Sequence, residues 1–174
     1  MTLSASLRVK GFSLVEMMVA LGLVAIMSGI GLASTLRSNE QKKITESAEM
    51  ARQFFMQAKS MAQAGKKDCA ICGATGGVCG RGDTPLAGWR TIITSASPVT
   101  LVVRGECGAS TFFSSTKTFP NRIILNATRN VLFLPLNKGT NLNNPVTITI
   151  NSTMSLLTSK TFTISPQGEI SAIY

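Results

Sequence analysis

Residues 12–36 hold one charged side chain, Glu16, and residues 17–36 hold none. An apolar run of about 20 residues matches a bilayer crossing and exceeds the apolar core of an ordinary secretion signal. Gly29, Gly31, Ala33 and Ser34 are small enough for a signal-peptidase site, but the length of the run favours a retained span. Arg8 and Lys10 precede it, which puts its start on the cytoplasmic side and the C-terminal part of the chain outside. Glu16 does not suit a plain anchor. A carboxylate in a membrane helix costs roughly 2.5–3.5 kcal/mol on insertion scales, and such residues mark function.

The helical pattern continues past Leu36. Ile44, Ala48, Ala51, Phe54, Phe55, Ala58 and Met61/Ala62 recur at steps of three and four, with Lys42, Lys43, Glu46, Glu49, Arg52 and Lys59 between them. That spacing predicts an amphipathic helix, continuous with the apolar one, on the order of 80 Å long and stopped at Gly65. Residues 66–85 are rich in glycine and cysteine and read as a stapled loop. Short Thr-, Val-, Ile- and Phe-rich runs follow at 89–94, 99–104, 122–126, 130–134, 146–151, 161–165 and 169–174. Turns such as Asn137-Lys138-Gly139 and Pro166-Gln167-Gly168 divide them. The expected fold is α+β: a long N-terminal membrane-spanning helix packed on a small antiparallel β head.

Charge and composition narrow the function. The chain carries 17 basic and 8 acidic side chains, a net charge of +9, which falls to +7 without Arg8 and Lys10. Such a surplus permits attraction to nucleic acid, acidic glycans or anionic lipid without choosing among them. With no histidine, a Ser–His–Asp or Cys–His nucleophile and an imidazole zinc site are excluded. Beyond Glu49 the acids are Asp68, Asp83, Glu106 and Glu169, none paired for acid–base work. No catalytic residue, metal site or cofactor is implied, and an enzyme is not expected.

The heptapeptide Lys10-Gly11-Phe12-Ser13-Leu14-Val15-Glu16, followed by the uninterrupted apolar run, resembles the cleavage and methylation signal of type IV pilins and type II secretion pseudopilins. The resemblance implies cleavage by a prepilin peptidase between Gly11 and Phe12, with the Phe12 nitrogen then methylated. It implies that Glu16, fifth in the mature chain, attracts the N-terminal ammonium of a neighbouring subunit, as a charge in an apolar bundle requires. The organisation is then a leader at 1–11, a transmembrane and filament-core helix at 12–36, its amphipathic continuation at 37–64, and a disulfide-stapled head at 65–174. The expected partners are copies of the chain or other pilins in a helical filament, the prepilin peptidase and an inner-membrane assembly platform. The expected location is the bacterial inner membrane as a single-pass prepilin, then an extracellular or periplasmic filament. Many pilus-forming relatives carry a proline within the apolar segment; here the first proline is Pro85, and Gly22, Gly29 and Gly31 are the available loosening points.

The head resembles minor pilins of the FimT/GspH type through Gly88-Trp89 entering a strand, Phe133-Leu134-Pro135 before Lys138-Gly139, and the closing turn from Phe162 to Gly168. That leaves three roles: a pilus subunit, an H-type pseudopilin of type II secretion, or a DNA-uptake minor pilin. Some FimT-type subunits grip DNA through arginines that follow a glycine near the C-terminus. Here the matching place reads Gly168-Glu169-Ile170-Ser171, with an acid where the arginine would be. The remaining DNA candidates are Arg81, Arg90, Arg122 and Arg129, with Arg104, Lys138 and Lys160. Arg81-Gly82-Asp83 reads as a charged glycine turn. In an exported domain Cys69, Cys72, Cys79 and Cys107 favour two disulfides over a four-thiolate zinc site. A Cys69–Cys72 bridge and the set Cys72–Cys79 with Cys69–Cys107 are both open.

Overall fold

A computed structural model describes residues 13–73, 79–80, 83–95, 98–126, 129–154 and 157–174, those at 29–33 by backbone alone. The chain divides into two compact units, Met1–Asn39 and Glu40–Tyr174. Helix α1, Leu14–Gln63, contributes to both.

In the first unit, Leu14, Val15, Met17, Met18, Val19, Leu21, Leu23, Val24, Ile26 and Met27 are all exposed. Apolar residues occupy every face of this helical segment, a pattern that calls for an apolar surrounding rather than water.

In the second unit, α1 buries Ile44, Ala48, Ala51, Phe55, Ala58 and Ala62, the stripe read from the sequence. Its four alanines let the backbone lie close to the sheets, and Phe55 fills the space between them. Its ring meets Phe133 and Phe162 edge-on, at centroid distances of 6.4 and 5.7 Å. The helix stops at Gly65, where φ is +62°. Lys66 N–H donates to Met61 O and Gly65 N–H to Ala62 O, the paired bonds of a Schellman motif. A single turn, α2 (Cys69–Cys72), follows, capped by Asp68, which accepts from Ala70 N–H at 2.9 Å.

The strands are β1 (Leu86–Thr94), β2 (Thr100–Cys107), β3 (Ser110–Thr118), β4 (Ile123–Leu125), β5 (Arg129–Phe133), β6 (Val146–Ser152) and β7 (Lys160–Ile164). They form two sheets, β3-β2-β1-β5 and β4-β6-β7, every pairing antiparallel. Trp89, Ile93, Leu101, Val103, Val131 and Phe133 of the first sheet and Ile148, Ile150, Phe162 and Ile164 of the second share one core with α1.

Two elements differ from the sequence reading. Ser110–Thr118 is a strand, although its run STFFSSTKT has a weak alternation and only Phe112 buried. Residues 169–174 form no strand. They lie along β7 through a bridge from Ile170 to Ile164, a bond from Ser171 N–H to Thr163 O, and an exchanged pair between Tyr174 and Thr161.

The three head segments noted in the sequence meet at one corner. A Cβ on Gly88 would lie 2.3 Å from Phe133 O, and one on Gly139 would lie 2.5 Å from Pro166 O. Leu136 and Asn137 both take positive φ, a two-residue turn that returns the chain from β5. The turn is therefore centred one residue before the Asn137-Lys138-Gly139 expected.

Candidate functional site: the N-terminal helix and the head

Glu16 sits in the first turn of α1, where a carboxylate complements the helix dipole. Met17 N–H donates to Ser13 O at 3.1 Å, so the helical path is established just ahead of it. Its neighbours Leu14, Val15, Met17 and Met18 are between 59% and 75% exposed, so among the described residues Glu16 is a single charge on an uncovered apolar surface. Gly11 and Phe12, the expected processing pair, lie outside the described residues.

Among the described residues no helix is long and apolar enough to cross a membrane. Of the expected span at 12–36, Phe12 and the side chains of residues 29–33 lie outside the described residues.

All four cysteines are paired, as Cys69–Cys79 and Cys72–Cys107. This is the third of the three possible combinations, not either of those put forward from the sequence. Within α2, Cys69 and Cys72 lie three residues apart on a helical turn, and each reaches out to a different segment. Cys72, fully buried, ties the turn to the end of β2, and Thr84 N–H donates to Cys72 O at 3.1 Å. The pairing leaves no thiolate for the zinc alternative.

The basic candidates are spread over the head. Arg90 lies in β1, where it pairs across with Arg104 of β2. Both are held by Glu106: Arg90 through Nε to Oε1 and Nη2 to Oε2, and Arg104 through Nε to Oε1 at 3.1 Å. Arg90 Nη1 also donates to Asn130 Oδ1 at 2.9 Å. Burial pushes the Glu106 carboxyl up, but the hydrogen bonds and charges of Arg90, then Arg104, outweigh it and hold the group below its ordinary value. The hydrogen bonds that Arg90 donates to Glu106 likewise raise the guanidinium above its ordinary value.

Arg129 opens β5 opposite Ile93, on the other side of the sheet from Arg90. Arg122 precedes β4 of the second sheet, with φ at +80° and its guanidinium 3.9 Å from Met154 sulfur. The structure does not gather Arg90, Arg122 and Arg129 on one face, and Arg81 lies outside the described residues. Asp83 is held by Lys67 at 3.3 Å and accepts from Gly80 N–H.

The ties between α1 and the C-terminal chain went unread in the sequence. The Gln41 amide both accepts from and donates to the Thr158 backbone at 3.0 Å, and Arg52 Nε donates to Ser171 O at 2.9 Å. Nothing in the local sequence marks either, because each spans more than a hundred residues.

In comparisons with known proteins, the family model for the prokaryotic N-terminal methylation motif matches residues 6–32. No curated protein and no solved structure matches the chain. The match is confined to the N-terminal segment and indicates a start of the type IV pilin kind, the sort that a prepilin peptidase processes.

Proposed function

We propose that the chain is a structural subunit of a type IV pilus or pilus-like filament, assembled through its N-terminal helix. Cleavage falls between Gly11 and Phe12, Phe12 becomes the methylated N-terminus, and Glu16 pairs with the Phe12 ammonium of a neighbouring copy. The observation that carries this reading is the exposed carboxylate of Glu16, the one charge within residues 12–36, on the apolar start of α1 and inside a methylation motif. Packing that helix among its copies satisfies the apolar surface and leaves one charge in need of a partner. An unpaired charge taken from water costs several kcal/mol. Mixing of this kind is heterologous and open-ended, as a helical filament requires.

Replacing Glu16 with alanine tests it. Insertion and cleavage continue while assembly falls; normal filaments built from the Glu16→Ala chain alone would refute the pairing. Abundance in sheared filaments separates a pilus subunit from a pseudopilin, which stays with the membrane fraction.

A further inference from the structure

The two sheets have four edges, and three are closed or short. The outer side of β5 is covered by the returning chain, through bonds from Leu134 N–H to Gly139 O and from Asn141 N–H to Leu132 O. The outer side of β7 is covered by Ser171 and Tyr174. Strand β4 has three residues. Strand β3 has nine, and among the described residues no backbone group pairs with its outer side.

The register locates the open groups. Phe119 N–H donates to Val99 O, so Lys117 and Ser115 face β2, while Ser114, Thr116 and Thr118 turn N–H and C=O outward. Phe113 is the extra residue of a bulge, with φ at +47°, and it ends this flat stretch. Beside the flat half runs a groove between β3 and α1, lined by Glu46, Glu49, Met50, Gln53, Phe54 and Lys117. Glu40, Asp83 and Glu106 each have a cationic partner, whereas Glu46 and Glu49 have none among the described residues.

We propose that the β3 edge and this groove dock an extended, basic segment of a partner polypeptide. Its backbone pairs with Ser114, Thr116 and Thr118. Every second side chain then falls toward α1, lysine or arginine reaching Glu46 and Glu49, apolar side chains covering Met50 and Phe54. Charge complementarity selects a basic segment: the groove is lined by two acids, neither ion-paired among the described residues, against one lysine, Lys117, in a chain whose net charge is +9. The proposal is independent of the filament reading.

The test uses the full chain in detergent micelles and a short fluorescent peptide alternating lysine and valine, with a glutamate–valine peptide as control. The basic peptide raises the anisotropy, and amide exchange slows at Ser114, Thr116 and Thr118. Thr116→Pro removes one outward N–H without touching the bonds to β2 and weakens binding about tenfold. The pair Glu46→Lys with Glu49→Lys does the same, and carries the test with the exchange data if Thr116→Pro melts early. No binding, equal binding of the acidic peptide, or indifference to these substitutions overturns the proposal. So does a dimer of the chain that occupies β3 and excludes the peptide.

Discussion

Arg90 on β1 grips Glu106 on β2 through two parallel hydrogen bonds, with Nη2 to Oε2 at 2.7 Å. The same carboxylate holds Arg104, the cross-strand neighbour of Arg90, so one anion keeps two adjacent cations together.

Glu106→Gln therefore destabilises the head by about 1–3 kcal/mol at neutral pH, since it weakens charge-assisted bonds and leaves two like charges side by side. The folded carboxyl is held below its ordinary value. Its stabilisation is full above the unfolded pKa and is lost as pH falls through the folded one. Denaturant titrations across acid pH should show the wild type and the variant converging at the acid end. A gap that stays constant with pH would contradict this role.

Gly105 faces the Phe112 ring so closely that a Cβ there would lie 2.3 Å from Cζ. That ring packs edge-on against Trp89 at 5.4 Å, and Trp89 Nε1 donates to Lys66 O at 3.0 Å. Gly105→Ala pushes the ring off Trp89 and costs about 1–3 kcal/mol by overpacking. Tryptophan fluorescence should shift along with the melting temperature. A neutral alanine would show that Phe112 has another place to go.

The two disulfides close loops of unequal length, 10 residues for Cys69–Cys79 and 35 for Cys72–Cys107. In the chain-entropy account the longer loop stabilises by about 3–4 kcal/mol and the shorter by about 1 kcal/mol less. Replacing Cys72 and Cys107 by serine should lower the denaturation midpoint more than replacing Cys69 and Cys79. Burial of Cys72 and Cys107 adds to the difference. Equal losses would mean that loop closure is not what these bonds supply.

Phe55 touches Phe133 of the first sheet and Phe162 of the second, and it is fully buried. Phe55→Ala removes the side chain that both sheets share and costs about 3–5 kcal/mol. Calorimetry of the purified chain would read this directly, and a loss under 1 kcal/mol would contradict the packing.

Legibility in the sequence followed how local each signal was. The stripe from Ile44 to Ala62 and the stop at Gly65 stand in the sequence because helix period and glycine chemistry are local. The β3 strand escaped notice because an exposed edge needs no buried alternate residues, and of its nine only Phe112 is buried. Residues 169–174 look like a strand by composition, yet after the turn at Gly168 they meet β7 only at intervals. The disulfide pairing could not be read, since it depends on where α2 aims Cys69 and Cys72. The fate of Arg90 depended on strand register, which sets Glu106 beside it. The N-terminal signal was the most legible part, because a methylation motif is written in consecutive residues and needs no tertiary contact to be recognised.

The most direct test of the central claim is mass spectrometry of the N-terminal peptide from material sheared off cells, with the Glu16→Ala chain in parallel. The account predicts a wild-type chain beginning at methylated Phe12, and a Glu16→Ala chain cleaved at the same place but confined to the membrane fraction. Filaments whose subunits retain residues 1–11, or filaments built as well from Glu16→Ala alone, would contradict it.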